Sequence, residues 1–106
     1  MNAPVSEIVR ELRERLRELY GVRLDRVILF GSRARGDADP ESDLDVMIVL
    51  SDPLDHWQEI RRTGKLVSDL CIKYDVDIAR VFATPEEYRS GKGSFYANVR
   101  HEGVSA

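Results

Sequence analysis

GSRARGDADPESDLDVMIV, residues 31–49, decides how the rest of the chain is read. The apolar run Val27, Ile28, Leu29 and Phe30 feeds into Gly31 and Ser32, and Asp43-Leu44-Asp45 opens a second apolar run reaching Leu50. The pattern is strand, short polar connection, strand. Because side chains alternate along a strand, Asp43 and Asp45 share one side and can reach the same one or two metal ions. Two carboxylates so placed repel each other unless a cation sits between them. Gly31 permits close backbone approach, and the N–H groups of Ser32 and Arg33 can then face a phosphate.

Gly31-Ser32, a gap of ten residues, and Asp43-x-Asp45 together resemble the signature of the polymerase-beta-type nucleotidyltransferase superfamily. The short chain and the forms GSRARG and SDLDVMIVL are similar to its smallest members, the minimal nucleotidyltransferases encoded beside HEPN-domain toxins. The resemblance spans residues 26–103. It implies a nucleotidyltransferase fold, here an α/β (α+β) chain with a mixed β-sheet and helices on one face, its acids gathered at one end of the strands.

Composition sets the outer bounds. With 106 residues, 42% hydrophobic and 33% charged, the chain is expected to form a single domain, residues 1–106, with one modest core. A net charge of −3 gives no global attraction to nucleic acid or anionic membrane, so no direct nucleic-acid binding is expected. The one cysteine, Cys71, cannot form an internal disulfide, and no apolar stretch suits a membrane span or a signal peptide. A cytoplasmic setting follows as the expectation.

Residues 4–20 carry Val5, Ile8, Val9, Leu12, Leu16, Leu19 and Tyr20 at helical spacing, with Gly21 as a stop. Arginine and glutamate alternate on the other side, including the well-ordered pair Glu11 and Arg15, which reads as a solvated face rather than an RNA-binding one. A strand is expected over residues 26–30, central in the sheet because its run is apolar without alternation. After Gly31-Ser32, the residues Arg33, Ala34 and Arg35 form about one helical turn before Gly36 and Pro40 interrupt it. Arg33 and Arg35 either grip phosphate through the planar guanidinium fork or pair with Asp37, Asp39 or Glu41.

The acidic series starting at Asp37 fails the EF-hand template, since Ser42 and Ile48 stand where glycine and glutamate are required. GSRARG lacks the Gly-Lys-Ser/Thr of a Walker loop, and Ser32 lacks an esterase context. His56 and His101 have no metal-ligand spacing.

Asp52 as cap and Pro53 at the first helical position predict a helix over residues 53–74, with Trp57, Ile60, Gly64, Val67, Leu70, Cys71 and Tyr74 as its apolar stripe. A third strand is expected over residues 75–82. Asp77 lies between Val76 and Ile78, an expensive place to bury an unpaired carboxylate. The resemblance makes Asp77 the third metal-binding acid, with Asp75 as the competing candidate. Thr84-Pro85-Glu86-Glu87 is a capping box for a short helix ending at Gly91, and residues 95–102 form a last helix closed by Gly103. Asn98 to Gly103 resembles the family's tail segment, but only Val104, Ser105 and Ala106 follow, so completion of that sheet edge stays open.

The activity implied by the resemblance is metal-dependent transfer of AMP from ATP to a hydroxyl, with Asp43, Asp45 and Asp77 as catalytic acids and holders of two Mg2+ ions. Gly31, Ser32, Arg33 and Arg35 would bind the nucleotide. The acceptor implied is a tyrosine of a HEPN-domain toxin, joined in a hetero-oligomer in which this chain is the antitoxin. Two alternatives remain: transfer to a small-molecule hydroxyl, and a non-catalytic toxin-binding module.

Overall fold

Ile8, Val9, Leu12, Leu16 and Tyr20 wind onto one side of helix α1 (Val5–Tyr20) in the computed structural model, which describes residues 4–31, 34 and 43–106. Gly21 ends the helix at φ 57°, its N–H donating to Arg17 O. After a 3-10 turn (Gly21–Arg23) come strands β1 (Leu24–Phe30) and β2 (Leu44–Leu50), helix α2 (His56–Tyr74), strand β3 (Ile78–Ala83), helices α3 (Pro85–Ser90) and α4 (Ser94–Glu102), and strand β4 (Val104–Ser105). The sheet order is β3-β2-β1-β4. β1 pairs antiparallel with β2 and β4, while β2 runs parallel to β3, so the sheet is mixed as expected.

Both central strands are buried on two sides. Leu44, Val46, Ile48 and Leu50 of β2 join Val27, Leu29, Ile78 and Phe82 in a core beneath α1 and α2. Met47 and Val49 face the other way and pack with Ile28, Ala83 and Val99, against Phe30, Tyr88 and Tyr96. The two long helices thus share one face, and the short pair α3 and α4 covers part of the opposite one. The C-terminal edge left open by sequence is a two-rung strand: Val104 pairs with Leu29 and Ser105 with Ile28, and Ala106 N–H donates to Val27 O.

Three features of α2 and β3 depart from the sequence reading. α2 begins at His56, capped by Asp55, whose carboxylate accepts from Gln58 N–H at 3.2 Å. Asp52 and Pro53 precede it because Arg23 donates to the carbonyls of Ser51 and Pro53 at 3.3 and 2.6 Å, fixing that segment outside the helix. The buried stripe of α2 is also rotated: Trp57 is 73% exposed, whereas Glu59 and Thr63 are buried. The reason is polar. Glu59 accepts a 2.7 Å hydrogen bond from Tyr20 and lies within 4 Å of Arg23 and Arg62, and Thr63 accepts from Arg80 while donating to Glu59 O. A buried carboxylate with that many partners is satisfied, and removing one partner would leave it exposed to the full desolvation penalty. Finally, β3 starts at Ile78, since Asp75 closes α2 in the left-handed conformation, φ 52°, with its N–H on Cys71 O.

The charged face of α1 does more than meet solvent. Glu11 accepts from Arg15 within its own helix and reaches across to Lys73, at 2.8 Å, and to the hydroxyl of Tyr74 on α2. Hydrogen bonds from Lys73 and Tyr74, then from Arg15, hold its carboxyl down at about 2. A depressed carboxylate contributes stability above its unfolded value of 4.5 and loses it as pH falls from there through about 2. In denaturant melts between those pH values, Glu11→Gln should therefore flatten the acid limb of the stability curve, leaving a smaller pH slope than the native chain.

Candidate functional site

Strand register collects the acids. β2 alternates so that Leu44, Val46 and Ile48 enter the core under the long helices; Asp45, with Met47 and Val49, therefore faces the side covered by α3 and α4. Asp43, one residue before β2, continues the same alternation and is exposed. Across the antiparallel pairing, Asp45 stands opposite Phe30. Across the parallel pairing, Leu44 meets Ile78 and Leu44 N–H donates to Asp77 O at 2.9 Å, which sets Asp77 beside Asp43 along the sheet.

Asp77 is exposed and precedes its strand, so the argument from costly burial does not apply to it. Its place beside Asp43 comes from the main chain instead. Asp75, the competing candidate, closes α2 in the left-handed conformation. Among the described residues, no three His, Cys, Asp or Glu side chains stand close enough together to enclose a metal ion.

Gly31 follows β1 at φ 77°, a conformation suited to glycine. It also touches the acid: a Cβ built there would overlap Asp45 Oδ2 and lie 3.3 Å from Asp45 Cγ. Ala34 N–H donates to Gly31 O at 3.1 Å. Ser32, Arg33 and Arg35 lie outside the described residues, so their expected contacts with a nucleotide stay proposals.

The electrostatics of the pair are unfavourable on their own. Burial, then the neighbouring charge of Asp43, pushes the carboxyl of Asp45 above its ordinary value. Hard carboxylate oxygens on one strand face, crowded by each other and by a glycine, fit a hard divalent cation such as Mg2+. Sequence reading gives no hint of one neighbour. Phe30, beside Asp45, meets Phe95 of α4 edge to face, with ring centroids 5.7 Å apart.

A family profile described as a nucleotidyltransferase domain matches residues 9–100. Two proteins of Methanocaldococcus jannaschii, both named provisionally as protein adenylyltransferases, are similar over nearly their whole length. One is 36% identical over 100 residues, covering 94% of this chain and 96% of that protein. The other is 35% identical over 99 residues, covering 92% and 93%. Among solved structures, a chain of a toxin–antitoxin complex crystallised with AMP-PNP matches 91% of this chain and 69% of its own, at TM-score 0.63 and 24% identity. A chain of the complex between a tri-AMPylated Shewanella oneidensis HEPN toxin and its MNT antitoxin matches 94% and 69%, at TM-score 0.58 and 22% identity. At such identities the structural likeness speaks for the fold.

Two glycines at positive φ give a matched test of the contact between Gly31 and Asp45. Gly21 has open space where a Cβ would stand, so Gly21→Ala should cost only the backbone strain of its positive φ, roughly 1–3 kcal/mol in urea unfolding. Gly31→Ala should cost visibly more, because Asp45 must also move. Removing charge should act in the opposite sense. A carboxyl raised in the fold destabilises progressively as pH climbs through its titration range, and the deficit persists at neutral pH. Thermal melts should accordingly show Asp45→Asn melting higher than the native chain at neutral pH, with the gain shrinking toward pH 4, and added Mg2+ raising the native melting temperature but not the variant's.

Proposed function

The chain belongs to the nucleotidyltransferase domain family, and from that premise we propose that it transfers AMP from ATP to a hydroxyl, most specifically a tyrosine hydroxyl, on a HEPN-domain toxin that it thereby neutralises. The observation that carries the reading is the Asp43 and Asp45 pair on one strand face, with Gly31 against Asp45 at the mouth of the connection. The names of the two archaeal relatives and the toxin–antitoxin neighbours support the choice of a protein acceptor.

In this reading the acceptor oxygen forms a bond to the α-phosphorus of ATP, the bond from that phosphorus to the bridging oxygen breaks, and pyrophosphate leaves with the electron pair. Asp43 and Asp45 would hold Mg2+, with Asp77 beside Asp43 on the neighbouring strand. Magnesium bound there supplies positive charge against the triphosphate and the developing alkoxide. Asp77, at the β3 end of the acid row, accepts the proton of the incoming hydroxyl. Gly31 and Ser32 receive the β- and γ-phosphates through main-chain N–H groups, and Arg33 or Arg35 balances charge as the bond breaks. Chemistry of this type rests on positioning and electrostatics, which a small domain can supply.

The test is a mass measurement. Incubation with ATP, Mg2+ and a cognate HEPN-domain protein should add one AMP mass per modified tyrosine to that partner. Asp43→Asn and Asp45→Asn should each slow the addition by on the order of 10²-fold or more, the scale for losing one electrostatic contact at a transition state. An unmodified partner, under conditions where the two proteins bind, would overturn the catalytic reading.

A further inference from the structure

We infer that Phe95 is the platform on which the nucleobase of the bound nucleotide stacks; the inference rests on the proposed nucleotidyl transfer. Phe95 keeps 46% of its surface exposed although two rings brace it, Phe30 at 5.7 Å and Tyr96 at 5.4 Å between centroids, both edge to face. The core on this side of the sheet does not need it. Val99 is buried there and Tyr88, Tyr96 and Phe30 pack against it, while Phe95 stands outside that cluster. An exposed ring held on two sides is costly to keep in water and ready to stack.

Its location names the occupant. Phe30 is the register partner of Asp45, so their Cβ atoms are about 5 Å apart, and Phe95 stands one ring farther along the same face. The acids therefore have an aromatic on the β1 side, next to Gly31 where the connection for the triphosphate begins. On the β3 side they have Ala79, paired with Asp45, and Val81, paired with Met47, both exposed and neither carrying a ring. A nucleotide whose phosphates lie at Gly31 and whose metal lies at Asp45 has its base within reach of Phe95, and the acceptor is left the open β3 side, where Asp77 stands. The other prominently exposed aromatic, Trp57, belongs to α2, which packs the opposite face of the sheet.

A π-face stacks on any base, so Phe95 confers affinity for the nucleoside part without selecting strongly among bases. Equilibrium binding to the isolated chain in Mg2+, with ATP and inorganic tripolyphosphate as paired probes, tests this directly. The native chain should bind ATP more tightly than tripolyphosphate. Phe95→Ala should weaken ATP about tenfold, as expected for loss of one base–aromatic stack, and leave tripolyphosphate within twofold; Phe95→Trp should hold ATP at least as well as the native chain. Equal ATP affinity in native and Phe95→Ala proteins overturns the inference while leaving the transferase reading intact, as does an effect confined to the KM of the protein acceptor. Parallel loss of both probes in Phe95→Ala also overturns it, since that marks a structural fault. A native chain that binds neither probe removes both readings.

Discussion

The register of β2 against its two neighbours is the constraint from which the rest follows. Because β2 lies between an antiparallel β1 and a parallel β3, one shift by a single residue would send Asp45 into the core under α1 and α2 and turn Val46 and Ile48 outward. Burial of four β2 leucine, valine and isoleucine side chains on that face fixes the register far more firmly than any polar contact could. The acid row is thus positioned by hydrophobic packing on the far side of the sheet. The same pairing brings Phe30 and Gly31 to Asp45 and sets Asp77 beside Asp43.

Much of this was legible in the sequence because it depends on period and on a few residues with special backbone roles. The order of elements, the stop at Gly21, the Thr84 and Glu87 capping box and the same-side placement of Asp43 and Asp45 all follow from local chemistry. Thr84 and Glu87 exchange hydrogen bonds as their spacing requires. What escaped was decided at long range. Trp57 has the apolar character of a core residue, yet Glu59 takes the inner position because Tyr20, Arg23 and Arg62, which come from α1, the following turn and α2 itself, converge there. No periodicity shows that. Asp52 reads as the cap in sequence, but Arg23 holds the carbonyls on either side of it and the helix is capped by Asp55 instead. The pairing of Phe30 with Phe95 joins residues far apart in sequence and has no local signal at all.

The site and the scaffold pull against each other in a way the charges make plain. Glu11 and Glu59 are carboxylates given cationic and hydroxyl partners, and they tie α1 to α2. Asp45 is given burial and a like-charged neighbour instead. Within one small chain, the same functional group is thus made comfortable on the helical side and uncomfortable on the open side, and it is the uncomfortable pair that invites a cation.

The two margins of the sheet are unlike, and that bears on how the molecule can associate. At the β1 margin, β4 supplies only two rungs and charged Asp25 and Arg26 occupy the start of β1, where its pairing with β2 is also irregular. Such a border resists the addition of a foreign strand. At the opposite border β3 presents six residues in regular array, Ile78–Ala83, with Arg80 bent back to α2. β3 is therefore the margin with the longer regular run of edge backbone, adjacent to the end of the acid row that Asp77 occupies.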